Sequence, residues 1–196
     1  MAVSELVTPA ALAVQHCRDR GHRRVALVMN EDVKADFSAL EEADRDVDAV
    51  IMGDLGTAFG YEVLNSAFRH VLGGAELIAL QKNRYWLRED GLCLDAGPFV
   101  AAIEYATGTS ASVVGKPEPG FFGGVLADLG VAAPQAAMIG DDVESDVGGA
   151  LRAGLQGILV QTGKYRSDAV DASGITPSAT VASIVEAAHL IAGRAP

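Results

Sequence analysis

Cysteine and basic residues are both scarce in this chain, and each scarcity narrows what it can be. The 196 residues include only 2 cysteines. Cys17 and Cys93 stand without CxxC or Cys/His spacing, so nothing points to zinc, no disulfide can be assigned, and a reducing cytoplasm is the expected compartment. No apolar run reaches the roughly eighteen residues a membrane span needs, and no basic, apolar, small-residue leader occurs, so neither a span nor a secretory signal is read. Lys and Arg total 15 against 26 Asp and Glu, a net charge of -11. Such a surface repels phosphate backbones and anionic lipid, which argues against nucleic acid or an anionic membrane as partner and leaves a cationic partner open. Repeats, low-complexity tracts and long linkers are also missing. What is present is 49% hydrophobic content, enough in a chain of this length for one large core or two smaller ones.

The most informative stretch runs from Val113 to Ala153. Ser112, Val113 and Val114 read as the end of a buried strand that stops at Gly115, and Lys116 follows in a proline-interrupted loop. Phe121, Phe122, Val125, Leu126 and Leu129 then keep a helical period, and Gly130 ends it as a C-terminal glycine does. Ala136 to Ile139 reads as a second short strand. Gly140 breaks it, and Asp141, Asp142, Glu144 and Asp146 crowd the start of a helix that Gly154 closes.

Strand, loop, helix, strand, acidic loop, helix is an α/β alternation, in which the strands are expected to lie parallel and their following loops to share one rim. Lys116 and Asp141 are therefore expected to converge. Carboxylates at a strand end form a hard-oxygen site suited to Mg2+, and an ammonium beside them would steady a phosphate, a combination that points to phosphoryl transfer. Each half also has a plainer reading: a lone lysine after a strand is usually a solvated loop residue, and acids at a helix start favour the helix dipole.

The segments GKPEPGFF and MIGDDVESDVGGA resemble the third and fourth sequence motifs of the haloacid dehalogenase (HAD) superfamily, in the wording of its subclass IIA phosphatases. The resemblance runs from VTPAALA near the start to TGKYR at Thr162 to Arg166. It implies a partial Rossmann-like core, with a parallel sheet and flanking helices, and an α/β cap domain of the C2A type. The cap is expected over residues 1–112 and the C-terminal half of the core over 113–196, with the junction between Gly108 and Val114. It further implies that Lys116 is a catalytic and substrate-binding lysine contacting the phosphate, that Asp141 is a catalytic residue and direct Mg2+ ligand, and that Asp142 and Asp146 are weaker supporting candidates for the metal.

The departure from the family pattern is large. The string DxDG(T/V), which carries the nucleophilic and general acid–base aspartates, does not occur, nor does the phosphate-binding Ser or Thr motif that should precede the cap. About sixty family residues, two βα units at roughly thirty each, are expected to be missing. The expectation is thus a phosphatase by family, acting on a small phosphorylated substrate, with this chain an N-terminally truncated form that lacks turnover. The alternative is a non-catalytic binding or assembly module derived from the same fold. Without the nucleophile-bearing strand, the run Ala136 to Ile139 is expected to leave an open edge through which copies of the chain associate. A response-regulator receiver is excluded by order, because here the lysine precedes the acids.

Elsewhere the signals are structural. Thr8, Pro9, Leu12, Ala13 and Cys17 predict a first helix ending near Gly21, with His16 and His22 read as surface or partly buried residues. Arg24 to Met29 and Ala49 to Met52 predict strands, with a charged and solvated loop between them. A helix from Tyr61 to Leu72, a strand from Glu76 to Leu80, a hairpin turning at Asp90 and Gly91, and a helix through Phe99, Val100, Ile103 and Ala106 follow. Lys82, Asn83, Arg84 and Tyr85 are basic or polar positions that could meet a phosphorylated substrate, against the plainer reading of solvent-facing charge. Gly157 to Val160 predicts another strand, Gly163 and Lys164 only faintly resemble a phosphate cradle, and a helix over Val181 to Ala192 closes the chain.

Overall fold

The computed structural model describes residues 5–89 and 91–193. The chain divides into two compact units, Met1–Gly115 and Lys116–Pro196.

In the first unit, α1 (Pro9–Arg20), β1 (Arg24–Val28), α2 (Glu31–Lys34), β2 (Glu41–Glu42), β3 (Ala49–Met52), α3 (Tyr61–Leu72), β4 (Glu76–Ala79), β5 (Tyr85–Arg88), β6 (Gly91–Leu94), α4 (Ala96–Thr107) and β7 (Ser112–Val113) follow in order. Five strands form one parallel sheet in the order β2-β1-β3-β4-β7, while β5 and β6 pair as a separate antiparallel hairpin. Strand periodicity decides which residue faces which helix. Ala49 and Ile51 join Ala13, Val14 and Cys17 of α1 on one face of the sheet, and Val50 and Met52 join Ala67 and Val71 of α3 and Val100 and Ile103 of α4 on the other. All four β3 residues are completely buried, as a central parallel strand covered on both faces requires. The ends of α1 follow from its sequence: Thr8 accepts a hydrogen bond from the Ala11 N–H, and Gly21 closes the helix at φ 76°, a conformation that favours glycine.

A polar staple ties the start of this sheet to α1. The Glu76 carboxylate pairs with His16 Nε2 at 2.9 Å and His22 Nε2 at 2.7 Å, and accepts from Ser112 Oγ at 2.6 Å. Burial alone would raise the Glu76 carboxyl, but the hydrogen bonds from Ser112, His22 and His16 outweigh it and bring it down to about 2. Nearby, burial pushes the Cys17 thiol up to about 11, with Glu76 and Asp48 adding to the effect, so this cysteine is a packing residue.

The second unit contains α5 (Pro119–Leu129), β8 (Ala137–Gly140), a π-helical turn at Val143–Gly148 running into α6 (Gly149–Arg152), β9 (Gln156–Val160), α7 (Ser167–Ser173), β10 (Ala179–Val181) and α8 (Ile184–Ile191). Its three strands are parallel, ordered β10-β9-β8. Leu159 packs with Val143 and Val147 on one face, and Ile158 and Val160 pack with Ala187 of α8 on the other. Among the described residues β8 pairs only with β9, so its second edge carries no strand.

Several expectations are corrected. Ser112–Val113 does not share a sheet with Ala137–Gly140; it pairs with β4 in the first unit, Ile78 opposite Ser112 and Ala79 opposite Val113. The reason is steric as well as topological. A Cβ on Gly115 would lie 2.1 Å from the Leu80 carbonyl oxygen, so the chain hugs the end of β4 before it leaves the first unit. The compact division of the chain falls after Gly115. Ser112, Val113 and Val114 are half-buried, where burial was expected.

The charged loop between β1 and β3 is more ordered than expected. Glu41–Glu42 forms a short edge strand, and Asp48 accepts from the Arg23 and Arg24 N–H groups at 2.7 and 2.9 Å. Val181 belongs to β10, and the last helix begins only at Ile184, where Ser183 caps it. The hairpin is present, with Gly91 at φ 122°, while Asp90 lies outside the described residues.

Candidate active site

The acidic rim of the second unit is built by glycines that permit close approach. A Cβ at Gly149 would lie 2.7 Å from the Phe122 ring and 3.0 Å from Pro117 Cα. Glycine at this position lets α5 and the Lys116–Pro117 segment settle directly on the acidic-loop helix. Lys116 then reaches Asp146: Nζ donates to Oδ1 at 2.6 Å. Asp146 is itself 5% exposed and fits only because position 140 is glycine, where a Cβ would meet Asp146 Oδ2 at 2.2 Å.

The three aspartates have distinct employment. Asp146 Oδ2 accepts from the Asp142 N–H at 3.2 Å, so both of its oxygens are engaged. Asp142 caps the π-helical turn, its Oδ1 accepting from the Glu144 and Ser145 N–H groups at 3.1 and 2.9 Å. Its Oδ2 stands 3.5 Å from Lys164 Nζ. Asp141 Oδ2 accepts from the Lys164 N–H at 2.7 Å. Among the described residues Asp141 Oδ1 has no hydrogen bond or ion pair, which sets it apart from the other two acids.

Lys116 thus lies at the acidic turn, but its partner is Asp146. Asp146, expected to support a metal, is buried and committed to the lysine. Lys82, Asn83, Arg84 and Tyr85 lie in the first unit: Lys82 pairs with Glu104 at 2.6 Å, the Asn83 N–H donates to Gln81 Oε1, the Arg84 carbonyl accepts from the Asp95 N–H, and Tyr85 opens β5. His16 and His22, given no partner by sequence spacing, share Glu76.

Residue-by-residue reading missed Lys164 as the residue that holds two of the acids. The available signal was a Gly-Lys turn directly after β9, the strand beside β8, because loops following neighbouring parallel strands emerge at one end. Among the described residues no group of three His, Cys, Asp or Glu side chains is arranged to hold a metal ion. The donor chemistry still suits Mg2+, which takes one or two carboxylates and fills its remaining positions with water and phosphate oxygens.

A lysine locked to a buried aspartate and, in the same turn after a parallel strand, a carboxylate with one uncommitted oxygen define an α/β protein with an acidic rim. The family described as HAD-hyrolase-like matches residues 113–187. Haloacid dehalogenase-like hydrolase domain-containing protein 2 of Bos taurus is 48% identical over 155 residues, 79% of this chain and 58% of that protein. Phospholysine phosphohistidine inorganic pyrophosphate phosphatase of Homo sapiens is 38% identical over 189 residues, 95% of this chain and 69% of that protein.

Among solved structures, the 4-nitrophenylphosphatase of Thermotoga maritima superposes with a TM-score of 0.85 at 28% identity, covering 94% of this chain and 72% of that one. The glycerol phosphate phosphatase of Mycobacterium tuberculosis, solved in complex with magnesium, gives 0.71 at 31% identity over 80% of this chain and 49% of that one. The chain belongs to the haloacid dehalogenase superfamily, subclass IIA, and has its α/β fold of parallel sheets with flanking helices. It spans about three fifths of the length of the Bos taurus relative.

Proposed function

We propose that these residues are the cap, over 1–112, and the C-terminal half of the core, over 113–196, of a Mg2+-dependent phosphohydrolase acting on a small phosphorylated substrate. The observation that carries this reading is the division of labour among the three aspartates: among the described residues Asp141 alone of them keeps an uncommitted oxygen, and the N–H of the adjacent Asp142 donates to the Asp146 carboxylate that holds the Lys116 ammonium. Asp141 would hold the ion, while Asp142 and Asp146 support it from behind. Bound Mg2+ would supply Lewis-acid stabilisation of the phosphoryl oxygens.

Lys116 has three N–H donors and spends one on Asp146, which leaves two for a phosphoryl oxygen. Its charge offsets the negative charge gathered in the transition state, and Asp146 keeps it in place for that task. In the family the phosphoryl group passes through an aspartyl-phosphate, and the nucleophile comes from the DxDG(T/V) motif. Because that string does not occur in these 196 residues, the chain by itself is inert on this reading. The cytoplasm is the compartment proposed, and the charge of -11 argues against nucleic acid or an anionic membrane as partner.

The missing motif equally favours a second reading, a non-catalytic binding or assembly module. The unpaired edge of β8 supports association of copies through that edge, and a monodisperse monomer in light scattering would count against it. The coding sequence upstream of Met1 separates the two functional readings. An in-frame DxDG(T/V) within roughly seventy codons, two βα units plus a short leader, supports the phosphatase, and the protein translated from that start should hydrolyse an aryl phosphate with Mg2+ and lose the activity on Lys116→Ala. A stop codon there favours the module. Turnover by the 196-residue chain, abolished by Lys116→Ala, would overturn its assignment as inert.

A further inference from the structure

We propose that Lys164 is a positioning residue of the acidic rim, which reserves Asp141 for the divalent cation by fixing its carboxylate and by taking Asp142 out of competition. The inference rests on the reading of this rim as a cation site and deepens it.

Two separate contacts carry it, both from the turn that follows β9. Through its backbone, Lys164 donates to Asp141 Oδ2 at 2.7 Å. That hydrogen bond requires glycine at the preceding position: Gly163 has φ 54°, and a Cβ there would stand 1.9 Å from Asp141 Oδ2. Through its side chain, Lys164 places Nζ 3.5 Å from Asp142 Oδ2, with only 19% of that side chain exposed. An ammonium so far withdrawn from solvent needs a carboxylate for company, and Asp142 supplies it.

Charge and lone pairs lead to the same assignment. With the exposed Glu144 set aside, the aspartates Asp141, Asp142 and Asp146 bring three carboxylates against the two ammoniums of Lys116 and Lys164, so one aspartate charge is left over. Asp146 is spent on Lys116, and Asp142 on the helix cap and Lys164, which leaves the residual charge on Asp141. Two adjacent carboxylates, both unpaired, would offer a flexible multidentate cage of the kind Ca2+ prefers. One fixed carboxylate suits the stricter geometry of Mg2+.

The test is direct Mn2+ binding to the 196-residue chain, read from loss of the free-ion electron paramagnetic resonance signal and repeated in competition with Ca2+ and Mg2+. Thermal melts establish that each variant is folded. Asp141→Asn should abolish binding. Lys164→Met keeps the backbone donor but frees Asp142, so Mn2+ should bind about threefold tighter or more at low salt, and the preference for Mg2+ over Ca2+ should fall. Lys164→Arg should restore the wild-type values.

Gly163→Ala should weaken binding at least about fivefold, because it displaces Asp141. If this variant does not fold, Lys164→Met carries the test alone. Unchanged or weaker binding in Lys164→Met, with Asp141→Asn still abolishing it, would overturn the role of Lys164 and leave the cation site standing. No Mn2+ binding by the wild type, or none lost in Asp141→Asn, would overturn the cation reading and this inference with it.

Discussion

Lys116 and Asp146 are joined at 2.6 Å by a hydrogen bond that spans thirty sequence positions, between a lysine at the first position of the second unit and an aspartate in the π-helical turn after β8. The pair holds an otherwise costly buried carboxylate, and it fixes the direction of the ammonium.

Asp146→Asn preserves volume but removes the charge. The buried amide would face the Lys116 ammonium with a poorer acceptor and lose the match to the Asp142 N–H. A stability loss of about 1–3 kcal/mol is expected from an unpaired, partly buried ammonium. Urea unfolding should show a lower midpoint with an unchanged slope.

Gly140→Ala tests close approach, since the added methyl would lie 2.2 Å from Asp146 Oδ2 and 2.4 Å from its carboxyl carbon. Either β8 or the π-helical turn must move. The expected cost is about 2 kcal/mol or more, read as a fall in melting temperature, and amide exchange in the acidic turn should quicken.

Glu76 predicts an acid dependence. Its folded carboxyl lies at about 2 against an ordinary 4.5. A depressed folded value means stability that is fully present above the unfolded value and is lost as pH falls from about 4.5 toward about 2. Glu76→Gln removes this linkage. The wild type should therefore exceed the variant in urea midpoint at pH 6, and the gap should close as the pH falls through that window. A gap that stays constant would show that the carboxylate contributes only packing.

Asp95 is 8% exposed and caps α4, with one carboxylate oxygen accepting from the Ala96 N–H at 2.7 Å and also from Gln81 Nε2. Asp95→Ala strips the cap and strands the Gln81 amide. About 1–2 kcal/mol should be lost, read as a fall in the urea midpoint of the first unit.

Much of the fold was legible because it depends on local rules. Thr8 with Pro9 and Gly21 bracket α1, the helical period between Tyr61 and Leu72 marks α3, and Gly130 and Gly154 end helices at φ 65° and 83°. Short strands were legible less well. A two-residue strand such as Ser112–Val113 carries no signal for the sheet it will join, and β10, Ala179–Val181, is too short to read as a strand, only its last residue having been placed, in the helix that follows.

The candidate site divides along the same line. Residue type and spacing singled out Lys116 and the acids Asp141, Asp142, Glu144 and Asp146, because a strand end followed by glycine and acids is a local pattern, and the family resemblance narrowed the acids to Asp141, Asp142 and Asp146. Which oxygen each acid spends, and on whom, was decided by tertiary structure. Asp146 belongs to Lys116, Asp142 to Lys164, and Glu76 to two histidines more than fifty residues away, pairings set by where parallel strands bring their loops and by glycines that let side chains touch backbone. A periodic pattern reports on the neighbours of a residue along the chain. A hydrogen bond between distant loops depends on packing, and no run of letters encodes it.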